Sequence, residues 1–212
     1  MPRLAALLVL ALGLLAASPA LATLPPADAA LEAKAVAYLQ GLASVRTRFE
    51  QIDPRGDVAH GMLYLARPGR ARFQYAPPSG LLITSDGKTV TVSDSRRGTF
   101  HHYPLRSTPL GVFLAERIRL DRGAKVTAVT PTAAGFDITA RDVRGEGRGQ
   151  ITLDFAEHPM RLTGWSIVDA TRKLTRVELS GLEPIPTPPA SLFVQTRSRR
   201  RRAEPMLRDR HN

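Results

Sequence analysis

The chain has 212 residues, a net charge of +11 and no cysteine. The lack of cysteine excludes a disulfide-stabilised fold and a lipid-modified N-terminal cysteine, so the fold must depend on a hydrophobic core. The charge is concentrated at the C-terminus, where residues 196–212 hold seven arginines against two acidic residues, a net charge of +5. This distribution argues against a nucleic-acid-binding domain and predicts a solvated, disordered basic tail, with contact to anionic lipid head groups as the alternative.

Residues 1–22 have the pattern of a secretory signal peptide. Arg3 precedes an apolar run over residues 4–17, and the segment ends in Ala20-Leu21-Ala22, whose small residues suit a cleavage site. The run is shorter than the roughly 20 residues of a membrane-spanning helix, which leaves an uncleaved anchor as the alternative. We therefore expect a mature chain that begins near Thr23, works outside the cytoplasm and is soluble.

The first predicted element of the mature chain is an amphipathic helix. Asp28 is the candidate N-cap, and Glu32 follows in the first turns. Apolar residues then recur at the three- and four-residue spacing of one helix face. They are Leu31, Ala35, Tyr38, Leu42 and Val45.

From residue 46 onward the pattern changes to the alternation typical of half-buried strands. Turn-forming pairs such as Pro68-Gly69 and Asp86-Gly87 separate the strands at hairpin spacing, which predicts an antiparallel meander. One helical interruption is predicted, with Pro109 at its first position and an apolar face that extends to Ile118. The predicted strands cover residues 46–52, 58–67, 70–75, 81–85, 88–93, 99–103, 124–130, 135–143, 149–155, 160–169 and 173–179.

These elements predict a mainly β fold of about ten or eleven strands with two helices. In residues 62–67, Leu63, Leu65 and Arg67 share one face, and in residues 70–75 Ala71, Phe73 and Tyr75 share an apolar face opposite Arg70, Arg72 and Gln74, as expected of a sheet that is covered on one side. Two helices are too few to cover so many strands tightly. We therefore expect a curved sheet with a partly filled concave side.

The sequence contains no signature of catalysis, because the patterns HExxH, GxSxG and GxxxxGK[ST] do not occur. His101 and His102 are adjacent in a strand and point to opposite faces, so they cannot easily share a metal ion. The glycine-rich residues 145–149 fit a hairpin turn. Four carboxylates fit solvated turns and strand edges better than acid–base pairs; they are Asp86, Asp94, Asp137 and Asp154. We predict neither an enzyme nor a cofactor or metal site.

Arg67 is unusual because its charge falls on an apolar strand face that it shares with Leu63 and Leu65. A guanidinium there must reach water or find hydrogen-bond acceptors, since burial of an unpaired charge is costly. Two interpretations remain open. Either Arg67 lies near the strand end and extends into solvent, or it donates to backbone carbonyls of a covering helix or loop and holds that element over the sheet.

Several segments follow one another in the order of a known family. They are Phe49-Glu50-Gln51, the hairpin of residues 61–73, Ser85-Asp86-Gly87-Lys88, Thr108-Pro109-Leu110 and the closing hairpin of residues 162–179. Over roughly residues 30–193, this ordered set resembles the outer-membrane lipoprotein carrier family, the LolA-like periplasmic chaperones. The predicted signal peptide and the lack of cysteine agree with a soluble periplasmic carrier.

The resemblance implies an incomplete antiparallel β-barrel with a helical lid over its concave face, formed by residues 23–195 between the signal peptide and the basic tail. Arg67 matches the family arginine that bonds the lid, and Phe73 matches an aromatic cavity position. The chain departs from the family at Thr91 and Ser93, near which aromatic residues are common. The candidate residues for an acyl-chain cavity are Leu63, Leu65, Phe73, Tyr75, Phe113 and Leu114.

By the same resemblance, the expected function is a monomeric periplasmic chaperone that carries acylated lipoproteins from the inner to the outer membrane without a cofactor. Its expected partners are an inner-membrane lipoprotein-releasing ABC transporter and an outer-membrane lipoprotein acceptor, with no nucleic acid. The alternative on the same fold is a periplasmic lipid- or lipoprotein-sensing regulatory module that binds without shuttling.

Overall fold

The computed structural model describes residues 24–108, 110–118, 124–142 and 149–196. The predicted signal peptide, Pro109, residues 145–148 of the glycine-rich segment and the arginines of the basic tail lie outside these residues. No helix among the described residues is long and apolar enough to cross a membrane.

The described residues form twelve strands in one antiparallel sheet with the order β6-β5-β4-β3-β2-β1-β11-β10-β9-β8-β7. The two edge strands β6 and β7 do not pair, so the barrel is incomplete, which confirms the predicted mainly β architecture. The strands are β1 Ser44–Ile52, β2 Val58–Ala66, β3 Arg70–Tyr75, β4 Leu81–Asp86, β5 Thr89–Asp94, β6 Thr99–Pro104, β7 Ala124–Pro131, β8 Gly135–Asp142, β9 Gln150–Glu157, β10 Met160–Val168, β11 Leu174–Leu179 and β12 Glu183–Pro184.

Strand β1 joins the two halves of the sheet. It pairs with β2 along its whole length, from Ser44 to Ile52. Its other side is shared, because β11 pairs with the C-terminal part of β1 and the short β12 pairs with Val45 and Arg46. The last strands of the chain therefore return to the first one, and this long-range pairing turns two meanders into a single curved sheet.

Helix α1 covers Pro26–Gly41 and differs from the predicted helix at both ends. It begins with Pro26 at its first position, a place where a missing N–H costs nothing, so Asp28 lies in the first turn and is not the N-cap. It ends before Val45, which is a β1 residue paired with Leu65. The predicted helix was too long because the first strand residues continue the apolar spacing of the helix.

The second helical region is much shorter than predicted. A 3₁₀ helix at Leu105–Ser107 is followed by a single-turn helix α2 at Leu110–Phe113, and residues 114–118 have no regular secondary structure. The predicted helical face through Ile118 is therefore wrong, although Ile118 and Leu114 are buried. Their apolar spacing reflects burial in a folded loop and not a continuous helix.

The C-terminal segment covers part of the outer face of the sheet, a feature that the sequence analysis missed. We call residues 183–195 the C-terminal strap. It contains β12 and a 3₁₀ helix at Ala190–Phe193, whose Phe193 is buried beneath the guanidinium of Arg70, with 5.7 Å between that group and the ring centre. Arg72 donates to the carbonyl of Leu192 at 3.0 Å, so the polar face of β3 is the surface that binds the strap.

The inner face of the sheet carries two hydrophobic clusters. In the first, Ala35 and Leu39 of α1 pack with residues of β7–β10, among them Phe136 and Phe155. The second cluster lies on β1–β5 and includes Phe49, Leu63 and Phe73. Only the first cluster is covered by a long helix, so the two halves of the inner face are closed to different degrees.

Candidate hydrophobic binding cavity

A cavity of about 330 Å³ lies between the inner face of the sheet, the C-terminal end of α1 and the region of α2. The walls are almost entirely aliphatic or aromatic, and Arg67 is the only charged residue among the wall residues that the structure describes. The lining residues are Leu39, Leu42, Leu63, Leu65, Arg67, Phe73, Ile83, Val90, Val92, Tyr103, Thr108, Phe113, Leu114, Ile151, Leu153, Leu162, Trp165, Ile167, Leu179 and Leu182.

Five of the six predicted cavity residues line this space, namely Leu63, Leu65, Phe73, Phe113 and Leu114. Strand register explains why the first three meet, because Leu63 pairs with Phe73 and Leu65 lies two residues further along β2 on the same face. The same cross-strand row continues from Phe73 through Ile83 to Val92. Alternation therefore brings one side chain from each of four neighbouring strands to the cavity wall.

Tyr75, the sixth predicted residue, is not among the lining residues. Its ring packs edge-to-face on Phe49, with 5.0 Å between ring centres, and its hydroxyl donates to Gln51 Oε1 at 2.7 Å. Burial raises the pKa of Tyr75 to about 12, so the phenol stays neutral. Tyr75 belongs to the second cluster and lies two residues beyond Phe73 on the same face of β3.

The opposite wall comes from strands that the sequence analysis did not connect to the cavity. Ile151 and Leu153 of β9, Trp165 of β10 and Leu179 of β11 all line it. Trp165 meets Phe73 edge-to-face with 6.2 Å between ring centres, which joins the two halves of the sheet. Period-two alternation assigns these residues to an inner face, but the β1–β11 pairing that brings them opposite β2 and β3 connects positions about 130 residues apart in sequence.

Arg67 lies at the rim of the cavity, directly after β2, and its guanidinium donates to two covering elements. Nη1 donates to the carbonyl of Leu39 near the end of α1, and Nη2 donates to the carbonyl of Ala115 at 2.6 Å. The structure thus places Arg67 on the carbonyls of covering elements, and its side chain is only partly exposed. Burial lowers the pKa of Arg67, yet a guanidinium remains protonated at neutral pH, and the two carbonyls offset part of its lost hydration.

The turn that presents Arg67 is itself fixed. Gly69 has a φ of +79°, and a Cβ there would lie 2.6 Å from the Cα of Gly87, so glycine is required. The Gly69 amide donates to the carbonyl of Leu114 at 2.8 Å, and its carbonyl accepts from the hydroxyl of buried Ser85 at 2.6 Å. The guanidinium therefore projects from a rigid base toward the cover.

Thr91 and Ser93, the positions of the predicted departure from the family pattern, lie on the outer face of β5 and are not among the residues that line the cavity. They bind the C-terminal strap through Gln195, whose amide nitrogen donates to the carbonyl of Thr91 at 3.1 Å and whose amide oxygen accepts from Ser93 Oγ at 2.6 Å. The same nitrogen donates to Thr84 Oγ1 at 3.1 Å. Small hydroxyl side chains leave room for this strap.

Of the four carboxylates considered for acid–base chemistry, Asp86 and Asp94 lie in separate turns, and only Asp137 and Asp154 are neighbours. Asp86 and Asp94 accept hydrogen bonds from backbone amides of their own turns. Asp137 and Asp154 are paired neighbours on the outer face of β8 and β9, where burial raises the pKa of both. His101 and His102 are exposed, and the part of the chain that the structure describes contains no group of three or more metal-binding side chains.

A family model described as outer membrane lipoprotein carrier protein LolA matches residues 40–196. The chain belongs to this family. An outer-membrane lipoprotein carrier protein of Chromobacterium violaceum is 36% identical over 84 residues, which cover 38% of this chain and 41% of that relative. The match therefore spans about two fifths of the relative's length.

Two solved structures align with most of this chain at low sequence identity. An uncharacterized conserved protein from Thermus thermophilus has a TM-score of 0.49 and 10% identity, over 81% of this chain and 96% of that chain. A LolA superfamily protein from Nitrosomonas europaea has a TM-score of 0.48 and 12% identity, over 77% of this chain and 97% of that chain.

Proposed function

We propose that this protein is a periplasmic carrier that binds the acyl chains of lipoproteins in the cavity and moves them from the inner to the outer membrane. The cavity carries the proposal, because about 330 Å³ of space has apolar walls and one charged group at its rim. The family assignment supports the same class of ligand.

The physical problem that such a carrier solves is desolvation. Each methylene withdrawn from the bilayer into water costs about 0.8 kcal/mol, so one long acyl chain is held by roughly 12 kcal/mol. A lipoprotein with more than one chain does not cross an aqueous compartment unaided. The apolar wall formed by residues such as Leu63, Phe73 and Trp165 offers the chains a replacement for the bilayer interior.

Loading of a lipoprotein with more than one acyl chain is expected to move the cover of the cavity. Ligand cavities typically measure about 300–1,000 Å³, and this one lies at the lower end of that range. Entry of acyl chains would break the bond from Arg67 to the carbonyl of Ala115, and release would restore it. Arg67 then acts as the lid latch, and the closed, empty state balances the open, loaded state.

The same reasoning defines the partners. Because an acyl chain leaves a bilayer only against a large free-energy difference, the supplier must spend energy, as an inner-membrane lipoprotein-releasing ABC transporter does. The acceptor at the outer membrane must bind the chains more tightly than the cavity does, so that transfer proceeds downhill.

The deciding experiment combines recovery and transfer. The protein is purified from the periplasm and searched by mass spectrometry for bound acylated proteins, and the loaded form is then mixed with outer-membrane vesicles. We expect acylated lipoproteins in the first step and their movement to vesicles in the second. An unacylated version of the same lipoprotein is the matched control and should not bind. Failure to recover or bind acylated protein contradicts the proposal, and binding without transfer favours the sensing module.

A further inference from the structure

The cover of the cavity has two parts of very different construction. We call residues 110–118 the cover segment; it consists of the single-turn α2 and the irregular residues 114–118. The other part is the C-terminal end of α1. Because irregular backbone cannot satisfy its own N–H and C=O groups, the cover segment must take hydrogen bonds from its neighbours.

Among the described residues, four hydrogen bonds join the cover segment to the sheet side and to α1. The carbonyl of Leu114 accepts from the Gly69 amide, and the carbonyl of Ala115 accepts from Arg67. The next two bonds come from one side chain of α1. Gln40 Nε2 donates to the carbonyl of Glu116 at 2.6 Å, and the backbone amide of Ile118 donates to Gln40 Oε1 at 2.9 Å.

The orientation of the Gln40 amide follows from its partners. The Ile118 N–H can only donate and the Glu116 carbonyl can only accept, so each end of the side chain faces the single group that suits it. A glutamate would keep the acceptor and lose the donor. A methionine would keep the length and the helix preference and lose both bonds.

Helix α1 is held in place mainly by the strands β7–β10, and the cover segment adds only Ile118 to the buried residues of that cluster. Ala35 and Leu39 are buried in the first hydrophobic cluster, and Tyr38 packs edge-to-face on Phe155 with 6.3 Å between ring centres. Lys34 Nζ also bonds Glu157 Oε1 at 2.7 Å. Displacement of α1 would expose this packed surface, whereas displacement of the cover segment breaks the hydrogen bonds named above, withdraws Ile118 from the edge of the first cluster and removes Phe113 and Leu114 from the cavity wall.

We propose that Gln40 is a second catch of the cavity, by which we mean a side chain that holds the cover segment in its closed position. We also propose that the cover segment moves away from a stationary α1 to admit acyl chains. The inference rests on the proposed function and adds a positioning residue to it. Arg67 holds the cover segment from the sheet side, and Gln40 holds it from the helix side. The hydrogen bonds of both side chains to the cover segment must break before the cavity can open to solvent between α1 and that segment.

Spin-label distances test the motion without any lipoprotein. The chain has no cysteine, so two introduced cysteines are the only labelling sites. The pair Ala37→Cys and Arg117→Cys, both at exposed positions, spans α1 and the cover segment. The pair Ala37→Cys and Arg161→Cys, also exposed, spans α1 and β10. Distances are measured by pulsed double electron–electron resonance in each background.

In the Gln40→Met background, we expect a longer-distance population to appear for the first pair and the second pair to stay unchanged. Loss of two net hydrogen bonds predicts an increase of about fivefold to tenfold in the open population. Gln40→Glu should give a smaller increase because it keeps the bond from Ile118. Lys34→Met is the matched control on the same helix, and it should leave the first pair unchanged.

The outcomes separate this inference from the proposed function. The role of Gln40 is contradicted if the distance distribution of the first pair is unchanged in Gln40→Met but broadened in Arg67→Leu. A change in the distance between the labels of the second pair, in either background, contradicts the claim that α1 stays in place. If the distances behave as expected but no acylated protein is recovered from the periplasm, the opening motion stands and the carrier function fails.

Discussion

The two halves of the inner face have similar apolar side chains, but one half is filled and the other borders empty space. The half formed by β7–β10 is closed by α1, and its core is filled, with Phe136 fully buried and stacked on Phe155 at 5.4 Å between ring centres. The half formed by β2–β5 has the single-turn α2 over it and forms one wall of the cavity, whose opposite wall comes from inner residues of β9–β11. A long helix supplies enough apolar surface to fill one half, and its absence leaves space in the other.

The filled half contributes mainly to the stability of the fold, and the cavity half is the part available for ligand binding. The filled half resembles an ordinary protein interior, in which packing is tight and each methylene contributes to the free energy of unfolding. The cavity half lacks part of that contribution and keeps its apolar wall available for a ligand. Substitutions in the first half should therefore change folding, and substitutions in the second should change mainly ligand binding.

The largest expected effect is in the filled half. Phe136→Ala should lower the free energy of unfolding by about 4 kcal/mol, because it removes a fully buried ring and leaves a cavity behind. Phe73→Ala should cost only about 2 kcal/mol, because that ring already borders empty space. Urea unfolding measures both. Equal losses would contradict the distinction between the two halves.

Removal of the charge at the rim should act on binding more than on folding. Arg67→Leu deletes two charge-assisted hydrogen bonds that hold the closed state, so we expect affinity for a fluorescent fatty acid to rise about tenfold or more and release to slow accordingly. The free energy of unfolding should change little, since a partly buried charge is removed together with its bonds.

Arg67→Lys is the control for that variant. It keeps the charge but lacks the planar fork that reaches two carbonyls at once, so it should fall between the wild type and Arg67→Leu. Release kinetics of Arg67→Leu identical to those of the wild type would reject the latch role.

A smaller effect should follow from partial filling of the cavity. Val92→Phe adds apolar volume to a wall residue and should weaken fatty-acid binding about fivefold, while the free energy of unfolding changes by less than about 1 kcal/mol. Thr91→Val is the matched control, because its side chain faces the opposite side of β5. Equal binding by Val92→Phe and the wild type would place the ligand elsewhere.

The smallest effects concern two carboxylates, one in each half, with opposite pH dependence. Burial raises the pKa of Asp154, helped by neighbouring Asp137, so its contribution to stability is greatest below about pH 3.9 and is lost as pH rises through the raised value. Asp154→Asn should therefore stabilise the protein at pH 7 and not at pH 3.5.

Asp86 should behave in the reverse way. Partial burial acts to raise its pKa, but hydrogen bonds from the Thr89 and Lys88 amides outweigh that effect and lower it. Its contribution is present above about pH 3.9 and is lost as pH falls, so Asp86→Asn should destabilise at pH 7 and less at pH 3.5. Urea unfolding of each variant and the wild type at pH 7 and pH 3.5 tests both predictions. If the two substitutions changed the free energy of unfolding in the same way between these pH values, the opposite pH dependence would be contradicted.

Local patterns predicted much of this molecule. Alternation and turn pairs located the strands closely, and β3 has the predicted bounds of residues 70–75. Arg67 was identifiable because a charge on an apolar strand face requires acceptors. The family resemblance then indicated that those acceptors belong to a lid, and the partners in the structure are the carbonyls of Leu39 and Ala115.

The missed features depend on contacts between distant parts of the chain. Trp165 and Leu153 reach the cavity only because β11 pairs with β1, which local periodicity does not reveal. The C-terminal strap has no periodic pattern, and its burial of Phe193 depends on the polar face of β3. Gln40 appears in sequence as an ordinary polar residue near a helix end, because both of its partners are backbone groups.

One consequence concerns the single tryptophan of the chain. Trp165 lies on the cavity wall against Phe73 and joins the two halves of the sheet. Its indole is therefore a built-in optical reporter, and any molecule that enters the cavity should alter its emission without chemical labelling. Cargo loading and unloading could thus be followed in real time on the unmodified protein.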